Sequence, residues 1–197
     1  MVENLKFVSD PMLFGRHIVE LNGTNNAVAC SYMGGVDLSG SLSGAGGVGG
    51  LAWITLHTAS GPASGTHFTC YDGNGNIVAL VSATTGDVTA RYEYGQFVEL
   101  IRFTGPAASF NPFPFSTKRA DAPTDLVLYE YRSYNPNLGC RLNRDQLGDK
   151  CRINLCEFMR NNPFSKVDQY GRNPFIIGEG IIIVGGGAYI GLCINLS

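Results

Sequence analysis

The chain has 197 residues, of which 15% are charged, and its formal net charge at pH 7 is −2. This length suffices for one domain with a sizeable core, and the charge balance excludes the basic surface expected of a nucleic-acid-binding protein. The 26 glycines and 9 prolines favour short strands and turns over long helices. Six cysteines form no CxxC pair and only three histidines are present, so we expect no metal site and no cofactor.

The N-terminal residues MVENLKFVSDPML lack a basic region followed by an apolar run, so the sequence predicts no signal peptide. Two stretches then look like copies of one unit, the first from Ser9-Asp10 through Tyr32 and the second from Tyr71-Asp72 through Tyr94. In each copy the closing tyrosine follows the aspartate by 22 residues, and a glycine-bearing turn lies near the middle. Residues alternate within Ile77–Ser82 and Val88–Tyr94, which predicts antiparallel β-hairpins stacked side by side. So short a stack leaves strand edges exposed, which indicates missing neighbours.

The segment between the two copies, residues 37–50, is rich in glycine. Gly44, Gly46 and Gly49 fit the spacing GxGxxG, but a β-rich segment follows them where the dinucleotide motif needs a helix, so we expect no dinucleotide site. A flexible connector is the simpler interpretation.

Further along, we predict strands over Phe97–Phe103 and Leu126–Tyr134 and one short helical turn over Asn154–Arg160. The proline-rich segment 107–125 is expected to be an irregular cover whose phenylalanines plug a core: Phe110, Phe113 and Phe115.

Residues 175–196 are apolar except for Glu179 and Asn195, and the segment is long enough to cross a bilayer. Its six glycines and the cost of Glu179 in lipid argue against insertion. Membrane contact and a peptide held inside or against the β-structure both stay open.

Two Asp-Gln-x-Gly tetrapeptides lie in the C-terminal third, opened by Asp145 and Asp168, 23 residues apart. Two carboxylates brought together share a proton, so one can act as base on a water while the other donates to a scissile carbonyl. Arg132 can orient one of them through a two-pronged hydrogen bond. The alternative is that both aspartates bond their own backbone in turns and that Arg132 makes a plain ion pair.

Together these residues resemble the RHS/YD-repeat family in its repeat-associated core, over roughly residues 7 to 172. The motifs that carry the resemblance are VDLSGSLSGAGGVGG at 36–50, YDGNGN at 71–76, YEY at 92–94, NPFPFSTK at 111–118, YEYRSYNP at 129–136 and LNRD at 142–145. The resemblance implies a mainly β fold, with antiparallel YD-repeat hairpins forming part of a β-shell. It also implies a core over residues 1–172 and an apolar, glycine-rich C-terminal tail over 173–197, which the shell encloses and presents.

In several members of the family the core is an aspartic-type autoprotease that releases its C-terminal segment, often a polymorphic toxin. The resemblance places the family's essential arginine and two aspartates on Arg132, Asp145 and Asp168, and the cut near Gly171, Arg172 and Asn173.

The sequence departs from the family pattern at several positions. The prolines usual after both aspartates are Gln146 and Gln169, and the usual Gly-Arg-aromatic run is Gly139-Cys140-Arg141. We therefore expect a truncated or degenerate copy, secreted or at the cell surface, whose partners are its own C-terminal segment and either a secretion-system component or a cell-surface ligand. The alternative function is a non-catalytic adhesion module that binds glycans or proteins through a tyrosine-rich β-face.

Overall fold

The computed structural model describes residues 4–12, 16–121, 123–144, 156–163, 166–168, 170–171 and 174–176. Within these ranges the chain is mainly β, and its short helical elements are 3₁₀ turns at Gly61–Ala63, Ala108–Phe110 and Met159–Asn161. The predicted fold class, mainly β with antiparallel hairpins, is confirmed.

The first sheet has eight antiparallel strands that pair strictly in sequence order. They are β1 (Leu5–Ser9), β2 (His17–Asn22), β3 (Val28–Gly34), β4 (Leu51–Leu56), β5 (Gly65–Tyr71), β6 (Ile77–Ser82), β7 (Val88–Tyr94) and β8 (Leu100–Thr104).

Two smaller antiparallel sheets follow. One has four strands in sequence order: β9 (Arg119–Asp121), β10 (Leu126–Leu128), β11 (Ser133–Asn135) and β12 (Cys140–Arg141). The other is a pair, β13 (Lys166–Asp168) and β14 (Pro174–Ile176). β14 lies just past the predicted boundary at residues 172/173, which stays a prediction, as does the structure of residues 177–197, outside the described ranges.

Both predicted hairpins are present, as β2–β3 and β6–β7. The predicted strands Ile77–Ser82 and Val88–Tyr94 coincide with β6 and β7. Their turn needs the left-handed backbone of Gly86 (φ +77°), whose N–H donates to the Ser82 carbonyl at 2.9 Å. Turn chemistry and alternation were sufficient here because every partner is local.

The glycine-rich segment 37–50 is not the flexible connector that its composition predicts. The buried carboxylate of Asp37 accepts hydrogen bonds from the backbone N–H groups of Ser39 (2.9 Å), Ala45 (2.7 Å) and Gly47 (3.1 Å). The segment also packs on the turn between β5 and β6, where a Cβ at Gly75 would lie 2.6 Å from Val48 Cγ1. A glycine without a Cβ lets the two segments approach this closely.

The proline-rich segment does cover the core, but it is not irregular throughout, since Arg119–Asp121 form strand β9. Phe113 packs edge-on against Tyr32, with ring centroids 4.9 Å apart, and Phe115 joins a second cluster beneath β10 and β11. The prediction for Phe110 is wrong, since its side chain is 43% exposed.

The prediction of one strand over Leu126–Tyr134 is also wrong. The chain folds back there, and β10 pairs with β11. The segment between them leaves the sheet because its polar groups bond residues 170 and 171, as described below.

The strands β1 and β8 are the two edges of the large sheet. All five residues of β8 are exposed, including Ile101 and Phe103. No helix among the described residues is long and apolar enough to cross a membrane.

Candidate functional site

Three of the predicted site residues lie together. Arg132, Asp168 and Gly171 are all buried, and Gly171 joins the other two, because its N–H contacts Asp168 and its carbonyl contacts Arg132. Asp145, Arg172 and Asn173 lie outside the described residues.

Asp168 ends strand β13 and pairs with Pro174, so residues 169–173 connect two antiparallel strands. One carboxylate oxygen of Asp168, Oδ1, accepts hydrogen bonds from the N–H groups of Gly171 (2.7 Å) and Tyr170 (3.3 Å). This is the local turn bonding that the sequence left open for aspartates. It fixes the chain on the N-terminal side of the expected cut.

Arg132 lies beside this turn. Its Nε donates a hydrogen bond to the carbonyl oxygen of Gly171, and the N–H of Tyr131 donates to the carbonyl of Tyr170 at 3.2 Å. The segment before β11 therefore runs along residues 170–171. A charged donor on a peptide carbonyl draws electron density toward oxygen, so Arg132 sits where a polarising group would act.

Gly171 has a left-handed backbone with φ +84°. A Cβ at this position would lie 2.8 Å from Tyr129 Cβ and 3.2 Å from the backbone nitrogen of Arg132. Both conditions favour glycine, so the residue is held in one place by packing as well as by hydrogen bonds.

Sequence reasoning missed Arg141, which ends β12. Its Nη2 forms an ion pair with Asp168 Oδ2, and both side chains are 1% exposed. The guanidinium lies over the rings of Tyr129 and Phe158, 5.0 and 5.1 Å from their centroids. A signal was present: Arg141 occupies the aromatic position of the family's Gly-Arg-aromatic run, and an arginine buried there needs an acidic partner.

Tyr129 packs against Arg141 and Gly171 and stays a neutral phenol. Burial raises the pKa of Tyr129 far above its ordinary value of 10.0, the negative charge of Asp168 adds to the shift, and Arg141 opposes it. The residue therefore acts through packing and cannot serve as a base near neutral pH.

A second buried ion pair lies close by, between Lys118 Nζ and Glu130 Oε1 at 2.8 Å. Lys118 also donates to the Gly46 carbonyl and lies 5.9 Å from the centroid of the Tyr170 ring. The pair thus ties the glycine-rich segment to the residue that precedes Gly171.

A cavity of about 240 Å³ opens beside Tyr170. Its other lining residues include Arg16, His17, Tyr32, Phe113 and Lys118. It is smaller than the roughly 300–1,000 Å³ of ordinary small-molecule sites. Over the described ranges no three His, Cys, Asp or Glu side chains are grouped to hold a metal ion.

No family model matches the sequence, and no curated protein matches it. Solved structures do resemble the fold. A TcdB2-TccC3-TEV chain aligns with 87% of this chain at a TM-score of 0.59 and 19% identity. A TcdB2-TccC3-Cdc42 chain aligns with 86% at 0.59 and 15% identity.

A chain of the Photorhabdus luminescens Tc holotoxin pore aligns with 95% of this chain at a TM-score of 0.60 and 20% identity. The present chain spans 7%, 10% and 8% of the length of these three chains. The comparisons therefore show that the chain has the fold of a short section of much larger toxin-complex chains.

Proposed function

We propose that this chain is an RHS-type core that encloses a C-terminal segment and releases it by cutting its own backbone after Gly171. The observation that carries the proposal is the pair of hydrogen bonds at Gly171. Its N–H donates to the Asp168 carboxylate, and the buried Arg132 donates to its carbonyl oxygen. A peptide carbonyl held by a buried cationic donor is prepared for attack.

The reaction is hydrolysis of the Gly171–Arg172 peptide bond. A water adds to the Gly171 carbonyl carbon, Asp145 takes its proton and delivers it to the leaving amine of Arg172, and Arg132 stabilises the oxyanion. The role of Asp145 rests on the family resemblance. Asp168 is engaged by Arg141 and two backbone N–H groups, so we assign it to positioning the turn rather than to proton transfer.

The larger setting is a toxin-delivery shell, supported by the likeness to TcdB2-TccC3 chains and by the open edges β1 and β8, to which further hairpins would add. That setting implies a secreted or cell-surface protein. Its partners are the chain's own C-terminal segment and other toxin or secretion components. Contact between residues 175–196 and a membrane is compatible with this setting.

The alternative of an adhesion module loses its motivating observation. Of the eight tyrosines in the described residues, only Tyr131 is exposed, so that part of the chain offers no tyrosine-rich outer face.

The test is the intact mass of the purified full chain beside an Asp145→Asn variant, with Asp87→Asn in an exposed turn as the matched control. We expect the wild type and the control to lose a C-terminal fragment starting at Arg172, and Asp145→Asn to stay whole. Full-length mass in folded wild-type protein would contradict self-cleavage.

A further inference from the structure

The guanidinium of Arg141 has more N–H donors than there are hydrogen-bond acceptors around it in the described part of the chain. Nη2 is paired with Asp168, but Nε and Nη1 are buried and find no acceptor among the described residues. The rings of Tyr129 and Phe158 face the cation. Ring faces attract the charge, but they do not accept the N–H bonds that point outward in the guanidinium plane.

Buried donors without acceptors are costly, and an arginine with two of them needs an explanation. The unpaired side of Arg141 faces Gly171: a Cβ on this glycine would lie 3.3 Å from Nη1. Arg132 Nε donates a hydrogen bond to the carbonyl oxygen of the same glycine. Two buried guanidinium groups thus lie next to the same residue.

We propose that Arg141 and Arg132 form a binding site for a carboxylate, namely the new α-carboxylate of Gly171 after the chain is cut. The inference rests on the proposed function, since this carboxylate exists only once the Gly171–Arg172 bond is broken. Hydrolysis replaces the amide nitrogen by a second oxygen, which carries negative charge shared with the first. In the uncut chain, the Gly171 carbonyl oxygen accepts from Arg132. After the cut, the second carboxylate oxygen provides the acceptor that Arg141 lacks within the described ranges.

The chemistry of the donors selects this ligand. Guanidinium groups present N–H donors in a planar fork that matches the two oxygens of a carboxylate. Arg132 and Arg141 are both buried, so a group already attached at Gly171 reaches them without diffusing in from solvent. Binding the product in this way would hold the new C-terminus of the core in place and oppose religation.

The test separates the carboxylate from the cutting. In an Asp145→Asn background, the full chain is produced intact, or as residues 1–171 together with 172–197, or as residues 1–172 together with 173–197. The second form creates the Gly171 carboxylate without self-cleavage, and the third moves the carboxylate by one residue. Each form is made with and without Arg141→Lys, which keeps a positive charge for Asp168 but lacks the second set of donors.

The readout is the thermal unfolding midpoint. We expect Arg141→Lys to lower it by about 4 °C more in the form divided after residue 171 than in the intact chain, because a charge-assisted hydrogen bond is lost there. The form divided after residue 172 should show only the decrease of the intact chain.

Equal decreases in all three forms would overturn the proposal, and so would an extra decrease in both divided forms, which would report the chain break alone. Failure of the form divided after residue 171 to fold beside a folded intact chain would overturn it too. Self-cleavage itself is read separately, from the intact mass of the chain that retains Asp145.

Discussion

Replacing Gly171 by alanine perturbs the point where the two arginines and Asp168 meet. The backbone there is left-handed, at φ +84°. An alanine Cβ would approach Tyr129 Cβ to 2.8 Å and the backbone nitrogen of Arg132 to 3.2 Å, and neither neighbour is the free end of a flexible side chain.

Two costs add at this position. A non-glycine residue in a left-handed conformation costs about 1–2 kcal/mol, and an extra carbon in a packed site costs about 1–3 kcal/mol. Gly171→Ala should therefore lower the free energy of unfolding by roughly 2–5 kcal/mol. Gly86→Ala is the matched control, because Gly86 has a similar φ of +77° but nothing within 4 Å of its Cβ position, so only the conformational cost of about 1–2 kcal/mol applies.

The assay is urea unfolding of both variants in the Asp145→Asn background, where the chain is expected to stay whole. The difference between the two losses isolates the packing cost at Gly171. Losses that agree within experimental error would refute the argument that Tyr129 and Arg132 hold Gly171 by close contact.

Three further predictions concern other parts of the molecule. Asp168→Asn should cost about 3–5 kcal/mol because it leaves Arg141 buried without its anionic partner; urea unfolding should show a smaller loss when Arg141→Met and Asp168→Leu are combined, and a larger one would contradict the argument. Asp37→Asn should cost at least about 1.5 kcal/mol and remove hydrogen-exchange protection at the Ala45 amide, whereas unchanged protection would mean that the carboxylate does not hold the segment. Burial, with a smaller contribution from a neighbouring arginine, lowers the pKa of His17 below 6.5, so the unfolded state binds the extra proton and stability should decrease as pH falls through 6.5. Thermal unfolding from pH 7.5 to 5 should show this slope, and His17→Phe should reduce it; an unchanged slope would rule out His17 as its source.

The parts of the fold that the sequence predicts are those with local causes. The strand pair Ile77–Ser82 and Val88–Tyr94 follows from alternation and a glycine turn, and both partners lie within one short window. The segment that begins at Asp37 shows that composition alone does not predict whether a glycine-rich segment is flexible. Many glycines indicate flexibility only when nothing holds them, and here one buried carboxylate collects N–H groups up to ten residues away.

The candidate site depends on partners far apart in the chain, and its prediction was partial for that reason. Arg132 and Asp168 were found through motifs, but the arginine's contact with Gly171 spans 39 residues, and no spacing rule predicts it. The same contact explains why Leu126–Tyr134 is not one strand. Arg141 was missed because its role depends on Asp168, 27 residues later, and on the aromatic rings that enclose it.

Sequential pairing in the large sheet has a consequence for the timing of folding. Each of the strands β1 to β8 pairs only with strands next to it in the chain, so the sheet can form progressively from its N-terminal end during synthesis. Gly171 meets Arg132 and Arg141 only after β13 has been made. The order of the strands along the chain therefore sets the order of folding. The candidate site is completed only after the sheet that would enclose the released segment.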